Sequence, residues 1–131
     1  MELILALAAD DVRERTDGNF DVHGVRFEYY APGFPAVQER MVVVVVIEWA
    51  ADEVGRQPLR ADLVDEAGTR ILTIEGHTEV EPRAEDRAPP RTRLILPLQR
   101  VVFPHPGRYF FDILAGDQVR RAIPLFVGKH P

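Results

Sequence analysis

The sequence predicts an all-β protein, a two-layer antiparallel β-sandwich of about seven to nine strands with at most one short helix. Three observations predict it. Met41 to Trp49 reads Met-Val-Val-Val-Val-Val-Ile-Glu-Trp, a run of β-branched residues that suit a pleated surface better than a helix. No polar residue interrupts it before Glu48, so the strand belongs in the interior with both faces shielded. Shorter alternating stretches separated by turn residues recur along the rest of the chain. An amphipathic helix of ordinary length is nowhere visible.

Composition sets the bounds. A chain of 131 residues suits a single domain over 1–131, and 46% hydrophobic with 28% charged residues is ordinary for a globular protein. The net charge of −5 and the scattered arginines give no electrostatic footprint for nucleic acid or an anionic membrane. With no cysteine, disulfides, thiolate nucleophiles and cysteine-based zinc sites are excluded. Leu3 to Ala9 is apolar, but Glu2 precedes it and Asp10-Asp11 closes it. It is too short for a signal sequence or a membrane span, so it is expected to be a strand of a cytoplasmic protein.

Asp10 to Arg15 is expected to form a short helical or turn segment, followed by a turn at Asp17-Gly18-Asn19. From Phe20 to Tyr30 the apolar positions alternate, and their parity changes near Gly24, which predicts a bulge or a close backbone approach. Ala31-Pro32-Gly33-Phe34-Pro35 is a loop. Leu59–Val64 and Ile71–Ile74 form a hairpin around Asp65-Glu66-Ala67-Gly68. Residues 76–93 mix charges of both signs with three prolines and read as a long exposed loop. Leu94 to Leu98 is a strand whose Pro97 implies an edge or a bulge. Tyr109 to Leu114 and Val119 to Val127 make the closing hairpin.

Pro106-Gly107-Arg108-Tyr109-Phe110-Phe111 is the most informative local pattern. In immunoglobulin-like sandwiches a tyrosine opens the penultimate strand two residues before an inward core position, and its hydroxyl bonds back to upstream backbone. Tyr109 and Phe111 fit those two positions. With Ala8-Ala9-Asp10, Gly24, Tyr30 to Pro35, Leu63-Val64-Asp65 with Gly68, and Phe103-Pro104, the chain resembles a small bacterial family of uncharacterised, immunoglobulin-like β-sandwich domains of unknown function. The resemblance spans nearly the whole chain and implies a fold; it implies no activity, ligand or catalytic residue.

Chemistry is scarce. His23, His77, His105 and His130 share no metal-ligand spacing, and the carboxylates come as adjacent pairs that point to opposite faces of a strand. There is no serine, no glycine elbow beside a threonine and no phosphate-cradling loop. Asp112 sits mid-strand and is expected to pair with Arg120 or Arg121. Neither catalytic residues nor a cofactor or metal site are expected. Aromatics with polar tips are favoured at interfaces, which makes Tyr29, Tyr30 and Phe34 the candidate binding residues. Phe110 and Leu114 oppose the core parity of their strand, so that face needs cover from the N-terminal strand or another subunit.

The function these observations support is non-catalytic binding, to a protein partner or as a homo-oligomer. A small metal-dependent or hydrolytic enzyme with a tertiary site near His23, His77 and the loop carboxylates is one alternative. A carbohydrate-binding sandwich using Tyr29, Tyr30 and Trp49 as stacking platforms is the other.

Overall fold

Nine strands and no helix make up the computed structural model, which describes residues 1–131. They are β1 (Glu2–Glu14), β2 (Phe20–Arg26), β3 (Glu28–Ala31), β4 (Ala36–Glu48), β5 (Gly55–Asp65), β6 (Arg70–Val80), β7 (Arg91–Phe103), β8 (Gly107–Ala115) and β9 (Gln118–Lys129). One sheet has the order β2-β1-β4-β7 and the other β3-β9-β8-β5-β6. All neighbours are antiparallel except β3 and β9. The expected β-sandwich is therefore present.

The valine strand is central, between β1 and β7. Its odd positions, Met41, Val43, Val45 and Ile47, join the core with Leu63, Phe103, Tyr109, Phe111 and Leu125. Its even positions face away from the second sheet, yet Val42 and Val44 are 2% and 0% exposed. The cover comes from the first hairpin. β1 pairs with β4 only as far as Ala9–Val42 and continues with β2 alone. The hairpin tip, Glu14, Arg15 and Gly18 to Phe20, shares a hollow with Arg93 and Ile95 of β7. Ile95 lies level with Val44, so the β1–β2 ribbon must cross over β4 on the outer side. Half-buried Val12, Phe20 and Val22 are its apolar contribution. A strand apolar on both faces is thus shielded by a sheet on one side and a two-stranded ribbon on the other.

Several expectations need correction. Asp10 to Arg15 is not a helical or turn segment; Asp10–Glu14 continues β1, because ribbon pairing with β2 satisfies its backbone. The parity change near Gly24 has two causes. Gly24 has φ +69 and lies under the Asp10 side chain, and the chain then leaves one sheet for the other at Phe27, between β2 and β3. The exposed excursion expected over 76–93 is shorter: residues 76–80 belong to β6 and 91–93 to β7. Their charges sit on the outer face, and alternation with Thr78 and Val80 was hidden among them. The N-terminal strand does not cover Phe110 and Leu114; it is spent on β4.

Other expectations stand. Pro97 lies on β7, an edge strand. Asp112 pairs with Arg121, with Nε at 2.9 Å from Oδ1 and Nη2 at 3.2 Å from Oδ2, and that guanidinium also lies 4.9 Å from the Phe110 ring centroid. Asp62, in register with Asp112 and only 5% exposed, accepts from Thr73 Oγ1 at 2.7 Å and Arg60 Nε at 3.1 Å. Two carboxylates directly opposite on neighbouring strands would repel; each has its own arginine.

Candidate functional site

β3 is a four-residue edge strand, and alternation splits its two tyrosines. Tyr29 pairs in register with Val127 and points inward, 6% exposed, its ring stacked on Phe103 at 6.1 Å. Tyr30 pairs with Gly128 and points outward, 49% exposed. The bend at Phe27 sets this parity and leaves Phe27 itself 71% exposed.

On β9, Leu125 and Val127 are buried and Phe126 between them is 45% exposed. Tyr30 and Phe126 stand 6.5 Å apart, and His130 lies 6.5 Å from Tyr30 on its other side. Gly128 makes this packing possible. A Cβ there would come to 2.9 Å of the Phe126 ring and 3.0 Å of the Tyr30 ring, so both rings lie over bare backbone. Arg108 is in register with Phe126, and Lys129, the last residue of β9, is level with Ala31. No carboxylate lies within ion-pair distance of Arg108, Lys129 or His130. The result is an apolar, aromatic patch flanked by Arg108 on one side and Glu28 on the other.

Of the three candidate binding residues, Tyr30 is exposed, Tyr29 is buried and Phe34 is half-buried. Tyr29 is core, and its buried hydroxyl has no hydrogen-bond partner; burial pushes its pKa up to about 12. Phe34 is half-buried against the core, where it plugs the end of the sandwich. Phe27 and Phe126 were missed. The signal for Phe126 was present, since three consecutive apolar residues in a half-buried strand force one of them outward. Of the stacking residues Tyr29, Tyr30 and Trp49, only Tyr30 is exposed; Trp49 is 3% exposed with Nε1 donating to Thr92 Oγ1 at 2.9 Å. His23 on β2 and His77 on β6 occupy outer strands of different sheets, and no group of three His, Asp or Glu side chains is arranged to hold a metal.

A second polar cluster closes one end of the sandwich. Tyr109, fully buried, donates its hydroxyl hydrogen to the carbonyl oxygen of His105 at 2.5 Å and accepts from the His105 amide at 3.3 Å. The expected tyrosine corner is thus present. The His105 ring stacks on Tyr109 at 5.6 Å. Its two nitrogens face the carbonyl oxygen of Pro106 and the carboxylate of Asp65, and these two acceptors hold its pKa above the ordinary value. Asp65 is shifted the other way, first by the Thr69 amide and then by His105. The arrangement orients a turn. It has no nucleophile and lines none of the larger hollows.

No helix is long and apolar enough to cross a membrane. No curated protein matches the chain. Residues 4–128, nearly its whole length, match the sequence model of DUF6941, a family of unknown function, and the chain belongs to that family.

Proposed function

We propose that this protein is a non-catalytic interaction domain that binds a protein partner through the Phe27–Tyr30–Phe126 patch. The observation that carries the reading is the exposed pair Tyr30 and Phe126, 49% and 45% exposed with rings 6.5 Å apart where β3 and β9 meet at a sheet edge, with the 71%-exposed Phe27 at the bend before β3, its carbonyl oxygen accepting from the Phe126 amide. Exposed aromatics at such density lose free energy in water and gain it in a dry interface, and Tyr and Trp anchors dominate measured interfaces. Arg108 and Glu28 lie in register with Phe126 on either side of it, so a partner surface with an acidic group at the first and a basic group at the second would be complementary. The strand order supports reading the sandwich as immunoglobulin-like, with the tyrosine-corner strand β8 between β9 and β5.

The experiment is affinity capture from cells with the unaltered protein and with Tyr30→Ala/Phe126→Ser, followed by titration of each retained protein in purified form. A partner that binds the unaltered protein at least about 30-fold more tightly than the double variant supports the reading, since losing a central aromatic anchor costs about 2 kcal/mol or more. Partners that bind both forms equally contradict it. Sedimentation velocity on the same pair tests whether the partner is a second copy of this chain.

A further inference from the structure

Three adjacent strands set one row of side chains across the outer face of the five-stranded sheet. Glu28 on β3 is in register with Phe126 on β9, and Phe126 with Arg108 on β8. Tyr29, Leu125, Val127 and Tyr109 face the core, so alternation turns the whole row outward, and all three of its residues are exposed. The row thus reads cation, aromatic ring, carboxylate, at a strand spacing of about 4.8 Å. Neither charge is spent within the chain. Arg108 and Glu28 form no ion pair. The Glu66 carboxylate accepts from the Arg108 amide at 2.9 Å, not from its guanidinium.

Such a row is complementary to itself. A half-turn about an axis that runs along β9 in the plane of contact reverses the row and lays it on the original. Arg108 of each copy then meets Glu28 of the other, and Phe126 meets Phe126 on the axis. Both ion pairs form together, because a two-fold interface uses the same patch twice. An axis along the row would instead set Arg108 on Arg108 and Glu28 on Glu28, which repel. The axis along β9 also keeps the strands of the two copies nearly aligned, as in face-to-face sheet packing. Tyr30, whose ring lies with that of Phe126 over Gly128, widens the apolar centre. On the other side of the row, half-buried Phe110 comes level with the Phe27 end of β3 in the second copy. Further along the axis, Arg121 is already paired with Asp112. At about 200 Å² per aromatic side chain, Phe27, Tyr30 and Phe126 expose roughly 330 Å² in each copy. The flanking charges bring the total for two copies toward the about 1,000 Å² that a specific interface needs, which suits a weak dimer.

Resting on the reading of the aromatic patch as a docking surface, we propose that its partner is a second copy of this chain, docked about that axis with Phe126 at the centre. The test is sedimentation equilibrium from about 1 µM to about 1 mM. It compares the unaltered protein, Arg108→Glu, Glu28→Arg, the variant carrying both changes, and an equimolar mixture of the two single variants. The unaltered protein should dimerise within that range. Each single change places like charges at both contacts and should weaken dimerisation about 30-fold. The variant carrying both changes should regain most of that loss. The mixture should dimerise about as tightly as the unaltered protein, because each variant supplies the charge the other lacks. Three results would overturn the proposal: a chain still monomeric at about 1 mM, single variants that dimerise like the unaltered protein, or a mixture no tighter than its components. The first is read on the unaltered protein, whatever the changes do to folding. If any of these is found while Tyr30→Ala/Phe126→Ser still loses a captured protein, the second copy is ruled out and the docking patch stands. A dimer that survives Tyr30→Ala/Phe126→Ser lies on another surface and overturns the proposal as well.

Discussion

Nε2 of His105 lies 3.1 Å from Oδ2 of Asp65 while its Nδ1 faces the Pro106 carbonyl oxygen at 3.2 Å. Both partners only accept, so both ring nitrogens must donate, and only the imidazolium does that. The sandwich end is therefore built for a charged histidine on a charged carboxylate.

This pair makes stability depend on pH. The His105 pKa is raised from its ordinary 6.5, so its contribution is complete below that value and is lost as pH rises through the higher folded one. The Asp65 pKa is lowered from 3.8, so its contribution is complete above that value and is lost as pH falls through the lower folded one. The two are complete together between about pH 4 and pH 6.5. Melting temperatures of the unaltered protein and of His105→Ala should differ most near about pH 5, and the difference should narrow as pH rises through the raised His105 pKa. A difference that grows with pH would contradict the assignment.

Two tyrosines should respond in opposite ways to the same substitution. Tyr109→Phe removes the bond to the His105 carbonyl oxygen from a fully buried site and should cost roughly 1–2 kcal/mol. Tyr29→Phe removes a buried hydroxyl that has no partner and should be neutral or stabilising by up to about 1 kcal/mol. Urea midpoints at constant m-value measure both. Equal losses would mean that the Tyr29 hydroxyl is bonded in solution.

The ribbon over β4 hinges on Gly24. Its φ of +69 disfavours any other residue, and an added Cβ would lie 2.3 Å from Asp10 Oδ2, whose carboxylate is held by Arg26. Gly24→Ala should destabilise by about 1–3 kcal/mol and unshield Val42 and Val44. Faster amide exchange at residues 42–44, with β8 unchanged, is the expected signature. Uniform exchange across both sheets would show that the ribbon is not a separable layer.

Much of this architecture was legible in the sequence because strand alternation is local. Met41 to Ile47 declared itself a strand buried on both faces, Pro97 an edge, and Pro106 to Phe111 a tyrosine corner. What covers the outer face of β4 was not legible, since the ribbon reaches Ile95 across some 75 residues of sequence. Assigning Tyr29 to the surface failed for a related reason. The change of sheet at Phe27 resets which parity faces inward, and alternation within a stretch cannot say which side is the core. Phe126 lies on the last strand, and its neighbour Tyr30, on the adjacent strand β3, is distant in the chain.

The binding reading is tested most directly at Tyr30. With a photo-reactive benzoylphenylalanine in place of Tyr30, irradiation in cells should yield a discrete cross-linked species. Adding Phe126→Ser should remove that species and leave the melting temperature within about 2 °C, as expected for a surface change. The same label at Glu14, on the ribbon tip far from the patch, should yield none. No cross-link from position 30, or the same cross-links from position 14, would contradict an aromatic docking surface at the β3–β9 edge.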